Sequence, residues 1–317
     1  MPKIVTLTFS PCIDKSTTVP AFIPEKKLTC TAPKLEPGGG GINVARAIKK
    51  LGGEALAIFP SGGYTGKFLN HLVELENVNY IAIDIAGETR ENIIVLEIST
   101  NNQYRFGMPG TLLQDNEWEK CIQAVAAIED VEFIVASGSL PPGVPTDIYA
   151  QLAKITKQCG AKMIVDTSGE ALKAAVKEGV YLLKPSIGEL STLTGIAHIK
   201  KEELESIAKE LIHQNACEVM VVSLGVDGAI LVTEKESYFV AAPKVERKST
   251  VGAGDSMVAG IVLTLSKGRG FKEALQYGVA CGTAATMNAG TELCHPHDVE
   301  DLFKVITSED ELSKLLA

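Results

Sequence analysis

The stretch Ser249-Thr250-Val251-Gly252-Ala253-Gly254-Asp255-Ser256-Met257-Val258-Ala259-Gly260 carries the residue types best suited to chemistry. A polar lead-in gives way to a Gly-Ala-Gly turn, then an acid, then an apolar run with helical spacing. Small residues let the backbone approach a ligand closely, and a helix start points unpaired N–H groups back at the turn. Those donors and the macrodipole together favour an anion there. Asp255 is the anomaly, because a carboxylate repels the anion it faces unless it is there to take a proton beside it. The simpler reading has Asp255 capping or charging the first helical turn, and this stretch alone favours it.

A second glycine-rich helix start lies at Pro37-Gly38-Gly39-Gly40-Gly41-Ile42-Asn43, where Val44, Ala47, Ile48 and Leu51 keep a 3.6-residue period. It reads either as a flexible hinge or as a close backbone approach to a ligand, with Asn43 offering both donor and acceptor. Its spacing, with no strand expected before it, matches a dinucleotide fingerprint poorly. Asp14 stands past the first expected strand, Ile4–Phe9, where α/β proteins place ligand contacts; an ordinary turn acid fits equally well. Gly62–Lys67 imitates a P-loop, but only three residues separate Gly62 from Gly66 and Phe68 stands where a hydroxyl would hold magnesium. It reads as a turn entering a helix. His295 and His297 read as an incidental surface pair and not as a metal site.

These residues need a frame. From Asp115 onward the chain repeats a strand, a polar or glycine loop, and a helix. The strands are expected at Glu132–Ala136, Lys162–Asp166, Tyr181–Leu183 and Glu218–Ser223, with helical patterns such as Lys201–His213 between them. The C-terminal third is helical over Asp255–Leu265, Lys272–Ala289 and Asp298–Val305. The pattern predicts a parallel sheet covered on both faces, with ligand-binding loops on its carboxyl edge. Asn92–Ile98 and Gln103–Met108 flank Asn101-Asn102 as a hairpin. With the β-prone runs Lys15–Val19 and Leu28–Ala32, among Pro20, Pro24 and Pro33, it predicts a small separate sheet serving as a lid. Cys281–Thr286, small and apolar, fits tight helix packing somewhat better than a surface for a flat base.

Composition narrows the function. A net charge of −9 argues against general nucleic-acid binding, so cations serving a phosphate site must be concentrated locally. Seven scattered cysteines without a CxxC pair fit reduced thiols in a cytoplasmic protein. No apolar run reaches the length of a membrane span, and Met1–Leu7 reads as a strand and not a signal peptide.

Two glycine-rich helix starts, one followed by an acid, suggest phosphoryl transfer to a hydroxyl. Asp255 would take the proton, and the N–H groups of Gly252, Ala253 and Gly254 would hold the phosphoryl oxygens. The same residues resemble the PfkB (ribokinase-like) carbohydrate kinases over almost the whole chain. The signature pieces are Pro37–Ala47 and Lys248–Gly260, joined by Pro24–Leu28, Thr89-Arg90, Tyr104–Phe106, Ser137–Gly143 and Val222–Gly225. Within the family the resemblance is strongest to the minor-isozyme type of bacterial 6-phosphofructokinase.

That resemblance implies a three-layer α/β/α kinase domain over residues 1–317 with a mainly parallel sheet, and a β-sheet lid from about 14–36 and 89–108. It implies ATP, Mg2+ and a further monovalent cation, K+. The implied reaction phosphorylates fructose 6-phosphate at its 1-hydroxyl, in a cytoplasmic homodimer joined through the lids. Asp14, Gly39 and Asn43 match positions that hold sugar hydroxyls; Lys27, Arg90, Arg105 and Ser139 match those near the substrate phosphate. Lys184, Ser223 and Gly225 match nucleotide contacts, Asn288 lies in the region lining the base, and Glu189 would organise the metal's waters. Two departures stand out. Ser186 offers a hydroxyl where the family's Asn-x-x-Glu motif has an amide, and Thr29 stands where close relatives carry arginine. Lys27, Arg90 and Arg105 favour a phosphorylated sugar over a neutral one. 1-Phosphofructokinase and tagatose-6-phosphate kinase share this framework. A non-catalytic sugar-phosphate sensor has no use for Asp255, and a nicotinamide oxidoreductase rests on the α/β pattern alone.

Overall fold

The computed structural model describes residues 3–316 and every side chain among them except those of 309 and 311–316. Met1 and Pro2 of the expected first strand lie outside the described residues. The strands are β1 (Ile4–Leu7), β2 (Cys12–Val19), β3 (Lys34–Gly38), β4 (Leu56–Ser61), β5 (Asn79–Asp84), β6 (Arg90–Glu97), β7 (Asn102–Phe106), β8 (Phe133–Ser137), β9 (Lys162–Asp166), β10 (Val180–Leu183), β11 (Cys217–Ser223), β12 (Ala229–Val232) and β13 (Ser237–Val240). The helices are α1 (Gly40–Lys50), α2 (Gly63–Leu75), α3 (Asp115–Ala126), α4 (Ile148–Gln158), α5 (Gly169–Glu178), α6 (Ile187–Thr194), α7 (Leu204–His213), α8 (Ala253–Ser266), α9 (Phe271–Thr286) and α10 (Pro296–Leu316).

Alternation along the strands creates two cores. In β8, Phe133 and Val135 face one helical layer while Ile134 and Ala136 face the other. The first layer holds α1, α2, α8, α9 and α10, and the second α3 to α7. Between them runs a nine-stranded sheet in the order β13-β12-β11-β10-β9-β8-β1-β4-β5. It is parallel from β11 to β5 and ends in the antiparallel hairpin β12–β13. This is the expected mainly parallel three-layer frame. Sequence reading did not anticipate β3, β4, β5, β12 or β13.

A four-stranded sheet, β3-β2-β6-β7, stands apart from the main one. Its β6–β7 hairpin sits where the sequence predicts it, and β2 extends three residues further N-terminal than the predicted run, as far as Pro11 allows. Leu28–Ala32 is irregular, contrary to expectation. Thr31 there bonds back to Thr18, and the ladder position beside β2 is taken by β3 in the register Asp14↔Glu36. Edge placement lets β3 keep Pro37, whose missing N–H would break a central strand. A strand therefore does precede the four-glycine helix start, but it belongs to the small sheet.

α8 is apolar all round and buried from Ser256 to Leu265, because it is sandwiched between α1 and α9. That central position fixes the direction of its N-terminus.

Candidate active site

Strand order reverses at β1, which lies between β4 and β8, so a crevice opens at the carboxyl ends of β1 and β8. α1 begins there. Its N-cap, Gly39, has φ +112°, and an added Cβ would lie 2.8 Å from Thr8 Cγ2, so only glycine fits. Asn43, one turn in, donates from Nδ2 to Asp255 Oδ2 at 2.9 Å. Ser137, the last residue of β8, donates from Oγ to Asp255 Oδ1 at 3.4 Å. The carboxylate is thus fixed at both oxygens by elements from the two sides of the switch point.

Gly252, the N-cap of α8, has φ +75°. The first intrahelical bond runs from Ser256 N–H to the Gly252 carbonyl at 2.9 Å, so the N–H groups of Gly252, Ala253 and Gly254 have no acceptor among the described residues, and the dipole adds to their pull on an anion. Gly252→Ala would force a left-handed alanine whose Cβ lies 2.4 Å from Leu293 Cδ2. The expected result is a fall in kcat/KM for the nucleotide of roughly tenfold or more, from displaced donors. Steady-state kinetics at saturating acceptor measure it; an unchanged kcat/KM would remove the turn from the site.

Burial pushes the Asp255 pKa up to about 6, Asp166 adds repulsion, and the Asn43, Lys184 and Ser137 contacts pull against both. Asp166, at the end of β9, is raised mainly by burial, against the pull of Lys184. Lys184 follows β10, and its Nζ is 3.1 Å from Asp166 Oδ1. Burial works against the Lys184 charge, but Asp166, with Glu189 and Asp255 behind it, more than offsets that and its pKa lies above the ordinary lysine value. A Cβ on Gly254 would be 3.6 Å from Lys184 Nζ, so this buried cation lies directly beneath the turn.

Asp14 lies inside β2, not past a strand end, and is 5% exposed. Its Oδ1 accepts from Asn92 Nδ2 at 3.0 Å and from Cys12 Sγ at 3.3 Å. The Gly38–Gly40 turn bridges to the main sheet: a Cβ on Gly38 would lie 2.5 Å from Asp14 Oδ2, and one on Gly40 would lie 2.3 Å from Ser137 Oγ. Asp14, Gly39, Asn43, Ser137 and Asp255 therefore ring one place. Arg90 abuts it, donating to the carbonyls of Ser10 at 3.0 Å and Met108 at 2.8 Å, while its buried Nε has no partner among the described residues.

On the other side of the glycine turn opens a cavity of about 550 Å³, lined by Ser223, Gly225, Lys244, Arg247, Thr250, Ala253, Gly254, Gly282, Thr283 and Thr286 among others. Its predominantly apolar wall and its cations at one rim suit a flat base with an anionic tail. The Cys281–Thr286 stretch serves both readings, since Cys281 is fully buried against α8 while Gly282, Thr283 and Thr286 face the cavity.

Other sequence candidates sit elsewhere. Arg105 in β7 donates to Thr250 Oγ1 and to Gln103 Oε1, which ties the small sheet to the lead-in of the glycine turn. Lys27 and Ser139 lie on exposed loops, and neither side chain bonds another described residue. Asn288 does not line the cavity; its amide donates to the carbonyls of Ala284 and Leu293, closing the end of α9. Ser186 is the N-cap of α6, in a reciprocal box with Glu189: Ser186 N–H donates to Glu189 Oε2 at 2.7 Å, and Ser186 Oγ accepts from Glu189 N–H at 3.3 Å. Asp166, Asn92, Lys244 and Arg247 escaped sequence reasoning. Asp166 was within reach, since it ends a strand on the carboxyl edge as the other candidates do.

Comparison with known proteins decides the family: the model of the pfkB family carbohydrate kinases matches residues 7–298. The chain belongs to that family. This PfkB chain is 43% identical over 308 residues to the ATP-dependent 6-phosphofructokinase isozyme 2 of Escherichia coli K12, covering 97% of this chain and 100% of that one. It is 41% identical to the isozyme 2 of Mycobacterium tuberculosis H37Rv, covering 99% and 92%. The 1-phosphofructokinase of Bacillus subtilis is 32% identical over 91% of this chain and 95% of its own. Phosphofructokinase-2 of E. coli in complex with substrates and products superposes with a TM-score of 0.93 at 42% identity, covering 96% and 99%. The same E. coli protein has been solved in complex with potassium, with a TM-score of 0.93 at 43% identity, covering 97% and 100%. Its tetrameric inhibited form gives 0.91 at 42% identity, again covering 97% and 100%. As a PfkB kinase the chain keeps the family's three-layer frame and the small separate sheet. Among the described residues no helix is long and apolar enough to cross a membrane.

Proposed function

We propose that this kinase transfers the terminal phosphoryl group of ATP to the 1-hydroxyl of fructose 6-phosphate, giving fructose 1,6-bisphosphate and ADP. The observation that carries the reading is the juxtaposition at α8: a carboxylate with a raised pKa on the acceptor side, three free N–H groups at its back, and a base-sized cavity beyond them. Asp14, Gly39 and Asn43 position the sugar. Asp255 takes the hydroxyl proton as the oxygen–phosphorus bond forms and the bond to the ADP oxygen breaks. Gly252, Ala253 and Gly254 hold the transferring oxygens, and Lys184 beneath them offsets the charge. Ser223, Gly225, Lys244 and Arg247 flank the nucleotide.

Arg90 meets the 6-phosphate, with Lys27 and Ser139 supplied from the loops. Four strands that carry Asp14 and Arg90 on a separate sheet form a lid. Arg105 joins that lid to the glycine turn.

Magnesium fits at Glu189. The Ser186 N–H occupies only Glu189 Oε2, and among the described residues no cluster of three acids, histidines or cysteines could hold a metal directly. A hydrated ion carried on the phosphates and touched by one carboxylate suits Mg2+, which keeps several waters. When bound it would neutralise charge on the phosphates. Ser186 is spent on capping α6, so Glu189 carries that role. Potassium is proposed from the potassium complex of the E. coli relative.

Ile93 and Phe106 are opposed partners on β6 and β7, and both side chains are exposed, as are those of Ile98 and Ile23 nearby. An apolar lid face of this kind suits a second copy, so a homodimer through the lids is proposed.

The deciding experiment compares fructose 6-phosphate, fructose 1-phosphate and tagatose 6-phosphate as acceptors with ATP and Mg2+. The expected outcome is the highest kcat/KM for fructose 6-phosphate. A higher value for either of the others would reassign the substrate.

A further inference from the structure

One cation in the chain is out of reach of any substrate yet touches the machinery. Arg46, on α1, is 1% exposed and so shielded from solvent. Its Nη1 donates to the Pro37 carbonyl at 2.7 Å, to the Thr291 carbonyl at 3.2 Å and to Asn43 Oδ1 at 3.2 Å. Its Nε and Nη2 form a fork onto Glu76, at 2.9 and 2.6 Å. Glu36 stands 3.7 Å away and is itself held by the Thr291 N–H and hydroxyl.

A guanidinium only donates, whereas an amide has one accepting end and one donating end. Whichever end of Asn43 faces Arg46 must therefore be its oxygen. The remaining end, the NH2, then has to point at Asp255, where it donates at 2.9 Å. An ionised Asp255 selects the NH2 end by itself, but that preference is lost once Asp255 takes a proton, whereas the guanidinium keeps selecting the oxygen end. A flipped Asn43 would turn its oxygen toward the carboxylate and repel it. The fork on Glu76, together with the carbonyls of Pro37 and Thr291, holds the guanidinium so that it cannot follow such a flip.

We propose that Arg46 is a positioning residue for the phosphoryl-transfer step: it fixes the orientation of Asn43 and, through it, the orientation and proton affinity of Asp255. This rests on the assignment of Asp255 as the base. The charged groups facing Asp255 are Asp166 and Lys184 from the β9 and β10 ends, with Glu189 behind them; on the α1 side stands Arg46, one residue removed through Asn43, with Glu76 and Glu36 against it. Losing the donated hydrogen bond therefore leaves Asp166 and burial unopposed on that side, and the base becomes harder to deprotonate.

Two variants separate positioning from mere stability. Arg46→Lys keeps the charge but loses the fork. Glu76→Gln weakens the fork while leaving the donor to Asn43. Arg46→Lys is expected to lower kcat by roughly tenfold or more, the size of one lost hydrogen bond to a charged group. It should also move the acid limb of kcat/KM to higher pH and leave KM for ATP unchanged. Glu76→Gln, which keeps an acceptor for the fork but removes its charge, is expected to move kcat and the acid limb in the same direction as Arg46→Lys, by a smaller amount. If Arg46→Lys lowers only the melting temperature and the limb stays at its wild-type pH, Arg46 is structural and the proposal fails.

Should Arg46→Lys not fold, Asn43→Asp tests the same geometry. The new carboxylate satisfies Arg46 but repels Asp255. A folded protein with its acid limb displaced upward supports the proposal, and an unmoved limb overturns it. Failure of the underlying reading looks different: wild-type enzyme that phosphorylates none of the three sugar phosphates, or Asp255→Asn that remains active, would sink the base assignment whatever Arg46 does.

Discussion

Asp255→Asn is expected to lower kcat by about three orders of magnitude while leaving the affinity for both substrates within a few-fold of wild type, in line with typical general-base contributions. The amide keeps the shape of the carboxylate and still accepts from Asn43, so geometry survives and only proton removal is lost. Single-turnover kinetics alongside calorimetric binding would measure both sides of this split. A variant that stays nearly as active would mean that the hydroxyl proton leaves by another route. As the proposed base in the wild-type enzyme the same group should set the acid limb: with its pKa pushed up to about 6, kcat/KM should fall as pH drops below that value.

Stability should move the opposite way. The folded-state pKa lies above the unfolded one, so native protein binds the proton more tightly and stability falls as pH rises through that window. Asp255→Asn should therefore stabilise the protein at neutral pH by about 1–2 kcal/mol, an advantage that disappears below roughly pH 4 where both states are protonated. Thermal melts at pH 7.5 and pH 4 check the sign.

Arg90→Ala should raise KM for the phosphorylated sugar by roughly two orders of magnitude, the value of a pair of charge-assisted hydrogen bonds. KM for ATP should stay within about threefold, because the two sites lie on opposite sides of the glycine turn. The reason lies in how Arg90 is held. Two of its nitrogens are tied to the carbonyls of Ser10 and Met108, which aim the guanidinium, and its Nε is buried without a partner among the described residues. Some loss of stability must accompany the change, so the contrast between the two KM values is the informative quantity. An equal rise in both would place Arg90 outside the acceptor site.

The frame was legible because its cause is local. The short apolar runs at β8 to β11 and the polar or glycine loops at strand ends are short-range signals, and together they dictate a covered parallel sheet. Asp255 was legible for the same reason, since turn, acid and apolar helix are contiguous. Asp14 was found but misplaced: the run from Lys15 points to a strand of the small sheet, but nothing in its neighbours says that β2 starts as early as Cys12, beside Arg90 and Asn92. The cavity cations Lys244 and Arg247 escaped because they lie in an irregular segment with no periodicity to point from. Asn288 shows the reverse error. It sits in the right region of sequence, but its amide closes the C-terminus of α9, a role set by the two carbonyls it meets there.

The cluster around Arg46 also has a kinetic meaning. Its ligands come from residues 36, 37, 43, 76 and 291, and the bond to Thr291 spans 245 positions of chain. The Asn43–Asp255 bond spans 212. Contacts of such separation form late, after the loop-closure entropy of the whole chain has been overcome. As the polypeptide leaves the ribosome, Arg46, Glu36 and Glu76 are all synthesised early, yet their arrangement is completed only when the C-terminal tenth arrives. Until then Arg46 and Glu36 lack the Thr291 contacts that close their network. The acceptor site and the tertiary closure of the chain are therefore one event, and a nascent chain ending before Thr291 should be incompetent in catalysis even where most of its sheet has formed.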